Sequence, residues 1–223
     1  MKRYSTLLLT LLASISVSQH ISAQIAVGPN NGNTFESVAP GSIPFNNPSY
    51  AQTSDGNRAR ASATLTLLIA NTQRLTARDF GFAIPAATNI VGIQVEVQKY
   101  ATNISILAYI HDNSVMLMKD GATTGNSRAK PETWTATEAY FIYGGPNDLW
   151  GTTWEPEDIN DPDFGVSFSA SITGIATLLP SARVNHIRVT VYYEHIVVPV
   201  RLINFHGEAK DDHTAALHWT LGS

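Results

Sequence analysis

Aromatic and acidic residues alternate between Tyr143 and Phe164 as nowhere else in this chain. Tyr143, Asn147, Asp148, Trp150 and Trp154 lead into Glu155, Glu157, Asp158, Asp161 and Asp163. Three kinds of chemistry fit such a run. The first is structural: Gly144, Gly145 and Gly151 admit backbone angles that other residues avoid, Trp150 and Trp154 cap a folded end, and Asp148 or Asp158 satisfies loop amides. The second is a calcium site, because Asp148, Glu155, Glu157, Asp158, Asp161 and Asp163 supply hard oxygens enough for the roughly six to eight ligands that calcium takes. Their spacing departs from the EF-hand pattern, and Pro156 and Pro162 restrict how they converge. The third is a carbohydrate site, in which Tyr143, Trp150 or Trp154 stacks on a sugar ring while Asn147 and Asp148 take its hydroxyls.

Catalysis finds little in these residues, and no catalytic residue is assigned. A glycosidase needs a carboxylate pair some 5 to 9.5 Å apart, and nothing in the run singles out an acid in an apolar pocket. No G-x-S-x-G elbow is present. The seven histidines are scattered, with no H-x-H or H-x-x-x-H pair to seed a zinc site. Cysteine is absent, which excludes thiolate metal sites and cysteine nucleophiles.

The elements that must position this loop read as strands. Val91, Ile93, Val95 and Val97 alternate with Gly92, Gln94, Glu96 and Gln98, and Ile187, Val189, Val191 and Tyr193 alternate with Arg188, Thr190 and Tyr192. A period of two is a strand buried on one face. Strands are expected over 63–69, 80–84, 90–100, 104–111, 114–119, 139–143, 165–172 and 186–194, with turns at Pro85, Asp112-Asn113, Asp120-Gly121, Gly144-Gly145-Pro146 and Ser181. In 166–172 the inward set is Val166, Phe168, Ala170 and Ile172, leaving Ser167, Ser169 and Ser171 to water. Residues 24–60, rich in Asn, Gly, Pro and Ser, read as loops and edge segments. So many one-sided strands need two sheets, and the fold class is an all-β, antiparallel two-sheet β-sandwich, jelly-roll-like.

At the N-terminus Lys2 and Arg3 precede the apolar run 7–15 and a small residue at Ala23, the pattern of a signal peptide over residues 1–23. The run is too short to span a bilayer, which takes about 20 apolar residues, and no later segment is longer. Removing Lys2 and Arg3 leaves twelve basic against eighteen acidic residues, a net charge of −6. That disfavours nucleic acid and anionic membrane as partners. Without disulfides, an exported chain of this length holds together by burying a core.

Residues 26–195 resemble a recurrent bacterial and phage β-sandwich module of exported and surface proteins. The likeness rests on Asp79-Phe80-Gly81-Phe82-Ala83-Ile84-Pro85, 89–95, Asp112-Asn113-Ser114-Val115 with Leu117, Tyr143-Gly144-Gly145 through Leu149-Trp150-Gly151 and Trp154, Phe164-Gly165-Val166, and 187–193. It implies the fold and a surface setting, and carries no catalytic residue. From Val198, the segments 198–205 and 215–220 are similar to the opening strands of the fibronectin-type-III-like module that precedes the sorting tail of type IX-secreted bacterial proteins. That likeness implies a β-hairpin beginning an incomplete second module over 197–223, with type IX secretion.

The expected function is therefore that of a secreted or cell-surface, non-enzymatic module for adhesion, display or spacing. A carbohydrate-binding module is the alternative, and a glycan-active enzyme using the acidic loop is the third. A surface glycan or protein is the expected partner, and the tail is expected to favour self-association.

Overall fold

A computed structural model describes residues 23–196, 201–209 and 215–222; the signal-peptide segment read at the N-terminus lies outside them, apart from its last residue. Between residues 23 and 196 the chain forms β1 (Ile25–Asn31), β2 (Thr34–Val38), β3 (Ala59–Ser62), β4 (Ile69–Asn71), β5 (Arg74–Arg78), β6 (Thr88–Thr102), β7 (Tyr109–Lys119), β8 (Ala122–Thr124), β9 (Ala139–Gly145), the helical turn α1 (Pro156–Asn160), β10 (Gly165–Thr173) and β11 (Ser181–His195). These strands make two antiparallel sheets. One runs β1-β11-β6-β9 with β3 also on β11, the other β2-β5-β10-β7-β8 with β4 also on β10. The molecule is an all-β sandwich, in which most connections pass from one sheet to the other.

The core lies where the two period-of-two strands face the second sheet. Ile93, Val95 and Val97 of β6, with Ile187, Val189 and Val191 of β11, are buried in one cluster with Val115 and Leu117 of β7 and Val166 and Phe168 of β10. Val91 departs from its expected place, because β11 skips a partner there: Tyr192 pairs with Gly92 and Tyr193 with Ile90. That bulge leaves Val91 only half-buried. Asp120 and Gly121, both at positive φ, form the two-residue turn of the β7–β8 hairpin.

Other expectations are revised as well: the strands expected over 63–69 and 104–111 are turns as far as Leu68 and Ala108, and Ser181, expected in a turn, opens β11. Asp112 and Asn113 lie inside β7, where Asn113 is a bulge and Asp112 points inward beside Ile110. Ser167 and Ser169 are buried on the central strand β10: Ser167 lies between Thr76 of β5 and the longer Met116 of β7, and Ser169 Oγ accepts a hydrogen bond from Asn113 Nδ2 at 2.9 Å. Phe80–Ile84 alternates as a strand does, yet pairs with none. Asn160 does the work of a neighbour there, accepting from the Ile84 N–H at 2.7 Å and donating to its carbonyl at 2.9 Å, while Phe80 and Phe82 pack against Phe164.

The segment after residue 200 forms a separate unit, a hairpin of β12 (Arg201–Ala209) and β13 (Ala215–Gly222). Phe205 pairs with Trp219 and His206 with His218, whose rings stack at 5.0 Å. Leu217 and Trp219 are exposed; the side chain of Phe205 lies outside the described set.

On the outer face of the first sheet, Glu96 and Arg188 form a two-pronged ion pair with both contacts at 3.0 Å, and the guanidinium lies 4.2 Å from the Tyr140 ring centre. His186, buried beside them, contacts the Tyr140 hydroxyl through Nδ1 and Asn31 Oδ1 through Nε2, each at 2.8 Å. This network assigns the neutral Nε2–H tautomer, with Nδ1 accepting from the hydroxyl. Burial holds the imidazole below its ordinary pKa, Arg188 adds to the shift and Glu96 opposes it. Because the folded-state value is the lower one, the unfolded chain takes up the proton first as pH falls below about 6.5. The contribution of the neutral ring is therefore present above that range and lost as pH falls through it. Between about pH 7 and pH 5, urea midpoints of the wild-type protein should drop more steeply than those of His186→Gln. Parallel profiles would show that the ring is not held neutral.

Candidate functional site

Each residue of the aromatic and acidic run has a definite place. Tyr143 on β9 is buried, and its hydroxyl donates to Asp112 Oδ2 at 2.7 Å. Trp150 is fully buried with a positive φ, and its Nε1 donates to the Ile93 carbonyl at 2.9 Å. Gly144 makes room for it: a Cβ there would lie 2.5 Å from Trp150 Nε1 and 2.4 Å from the Ile93 carbonyl oxygen. Trp154 is buried edge-on to Phe164 with ring centres 5.6 Å apart, and donates to the Leu149 carbonyl. None of the three rings presents a face to solvent on which a sugar could stack. Asn147 is exposed and accepts a hydrogen bond from Gln24 at 3.3 Å.

Three of the six acids pair with cations. Asp148 takes a two-pronged contact from Arg128 at 2.6 and 2.7 Å and accepts the Trp150 N–H; the Arg128 bonds hold its carboxyl below the usual range against a smaller opposing effect of burial. Asp158 pairs with Lys119 at 2.5 Å and closes a reciprocal capping box with Glu155 at the start of α1. Asp163 pairs with Arg78, which also holds Glu36, and its N–H donates to Asp161. Glu157 is exposed on α1. Among the described residues no three acidic or histidine side chains gather at metal-binding distance.

The densest chemistry lies elsewhere, between the sheets. Lys99 of β6 and Asp112 of β7 form an ion pair whose side chains are 2% and 1% exposed. Asp112 Oδ1 also accepts from Trp134 Nε1 at 2.8 Å, and Oδ2 accepts from the Tyr143 hydroxyl and from the Lys130 N–H at 3.1 Å. Lys99 Nζ stands 4.4 Å from the ring centre of Trp134, 4.7 Å from Phe141, and 5.3 Å from Tyr143 and Phe168. Four aromatic faces thus surround one ammonium. A pocket of about 200 Å³ adjoins the pair, lined by Lys99, Asp112, Lys130, Glu132, Trp134 and Phe141.

Burial brings the Lys99 ammonium down to about 8, and Asp112 works against that shift. Tyr143 is pushed well above its ordinary value by burial and then by the Asp112 charge, so its hydroxyl stays a donor. The arrangement orients and desolvates an amine against a carboxyl, with a tyrosine hydroxyl and a backbone N–H donating to one oxygen of that carboxyl. Two signals pointed here unread: the inward period of Ile93, Val95 and Val97 continues to Lys99, and Asp112 follows Ile110 at the same spacing.

No protein-family model matches the chain, and no curated protein matches it.

Two outcomes test this geometry. Trp150→Ala should cost about 3 to 5 kcal/mol in urea denaturation, the range for emptying a buried tryptophan site, whereas Trp219→Ala on the hairpin should stay within about 0.5 kcal/mol as surface changes do. Equal effects at the two tryptophans would contradict the burial of Trp150. Asp112→Ala should cost about 3 to 5 kcal/mol, since it leaves a buried ammonium without its counter-charge, and it should cost more than Lys99→Met, which leaves the carboxylate its three remaining donors. The reverse order would mean that the acid is not the hub.

Proposed function

We propose that the protein is a secreted or cell-surface β-sandwich module that works by contact rather than turnover, in adhesion, display or spacing. The observation that carries this reading is an apolar end of the sandwich. The turns over 63–68, 103–108 and 174–180 meet there: Gly174 N–H donates to the Leu68 carbonyl, Ala63 N–H to that of Pro180, and Asn103 Nδ2 to that of Leu179. Leu65, Ile69, Ile106 and Leu107 nevertheless remain 68%, 76%, 92% and 63% exposed. Apolar side chains clustered on an exposed end are a feature of surfaces that meet another macromolecule. Aliphatic side chains without a flat aromatic face suit an apolar patch on a protein partner better than a glycan. The signal-peptide pattern at Lys2, Arg3 and 7–15 supports export, and the engagement of Asp148, Asp158 and Asp163 in ion pairs supports a binding rather than catalytic role.

The test has two arms. Protease treatment of intact producing cells should release the protein. Beads carrying the full mature chain should attach to those cells, and Leu65→Ser/Ile106→Ser/Leu107→Ser should attach several-fold less with an unchanged melting temperature, because exposed substitutions alter stability by only about 0.5 kcal/mol. Retention of the protein inside the cells, or attachment indifferent to the triple change, would defeat the reading.

A further inference from the structure

Of the ion pairs among the described residues, only Lys99–Asp112 is almost sealed from water; the side chains of the others are between 13% and 52% exposed. We infer that Lys99 Nζ and Asp112 Cγ condense into an amide, a covalent cross-link between the two sheets. Three features of the site favour this. Burial among Trp134, Phe141, Tyr143 and Phe168 disfavours the charged form of Lys99 and so favours the free amine that must attack. Opposed strands fix the amine against the carboxyl, which replaces a bimolecular encounter by a held geometry. Tyr143 O–H and Lys130 N–H both donate to Oδ2, where negative charge develops as the carboxyl carbon becomes tetrahedral.

The step balances without any further reactant. One Nζ proton passes to Oδ1, the freed lone pair forms the Nζ–Cγ bond, and negative charge collects on Oδ2. A second Nζ proton then joins the Oδ1 hydroxyl, the Cγ–Oδ1 bond breaks, and one water leaves. The adjoining pocket with Lys130 and Glu132 on its wall gives that water a polar way out. Nothing is oxidised or reduced. The depressed Lys99 pKa supports the same chemistry by raising the share of free amine.

Mass spectrometry of the full mature protein, denatured, decides the matter. Condensation makes the chain lighter than its sequence by one water, and trypsin cannot cut after an acylated Lys99. Residues 79–119 are then expected as one peptide, one water short, since no other lysine or arginine lies between 79 and 118. Separate peptides 79–99 and 100–119 at full mass would overturn the proposal. So would a water-short 100–119 peptide released by a normal cut after Lys99, because that places the dehydration in a succinimide at Asp112-Asn113. Lys99→Arg, which removes the primary amine, should run at full sequence mass; a water-short Lys99→Arg protein would equally overturn the assignment.

Discussion

A carboxylate inside an apolar sandwich must find a donor for every lone pair, and the satisfaction of Asp112 organises the middle of this molecule. Its four partners come from different places: Lys99 from the opposite sheet, Tyr143 from the strand beside Lys99, and Trp134 with the Lys130 amide from the long connection between β8 and β9. That connection is held at other points as well. Beside β7 it is secured by the Arg128 N–H on the Val115 carbonyl, by Ser127 Oγ accepting the Val115 N–H, and by the Trp134 N–H on the Ile110 carbonyl. A buried pair carries a desolvation cost that its own attraction does not reliably offset. The aromatic cage and the extra donors are what make this one tenable, and they also make it specific, since no shifted register of β6 or β7 would bring the same groups together.

The end of the sandwich near residues 144–164 follows a different logic. Its acids are numerous, but the fold supplies a cation to each strongly placed one, from β5, β7 and the β8–β9 connection respectively. The pairs are partly exposed, so each contributes modestly to stability. Their effect is geometric: they pin a loop whose tryptophans fill the space beneath it. Three carboxylates of the run thus serve as ties.

How much of this was legible in the residues differs by element. The two long strands announced themselves through their alternation, β9 and β10 were found within a few residues, and β7 was expected as two strands, 104–111 and 114–119. Asp112-Asn113 misled because that dipeptide has turn chemistry, and only the inward period of the flanking residues, interrupted by a bulge, identifies it as strand. Phe80–Ile84 shows the reverse case, an alternating segment that pairs with no strand and whose ends are held by the side chains of Asn30 and Asn160. Pairing depends on partners far along the chain, and local pattern carries no information about them. The importance of Lys99 was hidden for the same reason: a lysine near a strand end reads as solvated until the donors and rings that enclose it are known to converge.

The position of β11 has a temporal consequence. It is the hydrogen-bonded neighbour of β1, β3 and β6, so Ile25 is paired with Tyr193 and Ala59 with Val184. One sheet therefore has no centre until the last strand of the sandwich exists. During vectorial synthesis or threading, the preceding strands would wait without their common partner, and closure would come as a single late event over long sequence separations, the regime in which folding takes milliseconds to seconds. A chain arranged in this way stays open for as long as any part of that strand is still to arrive.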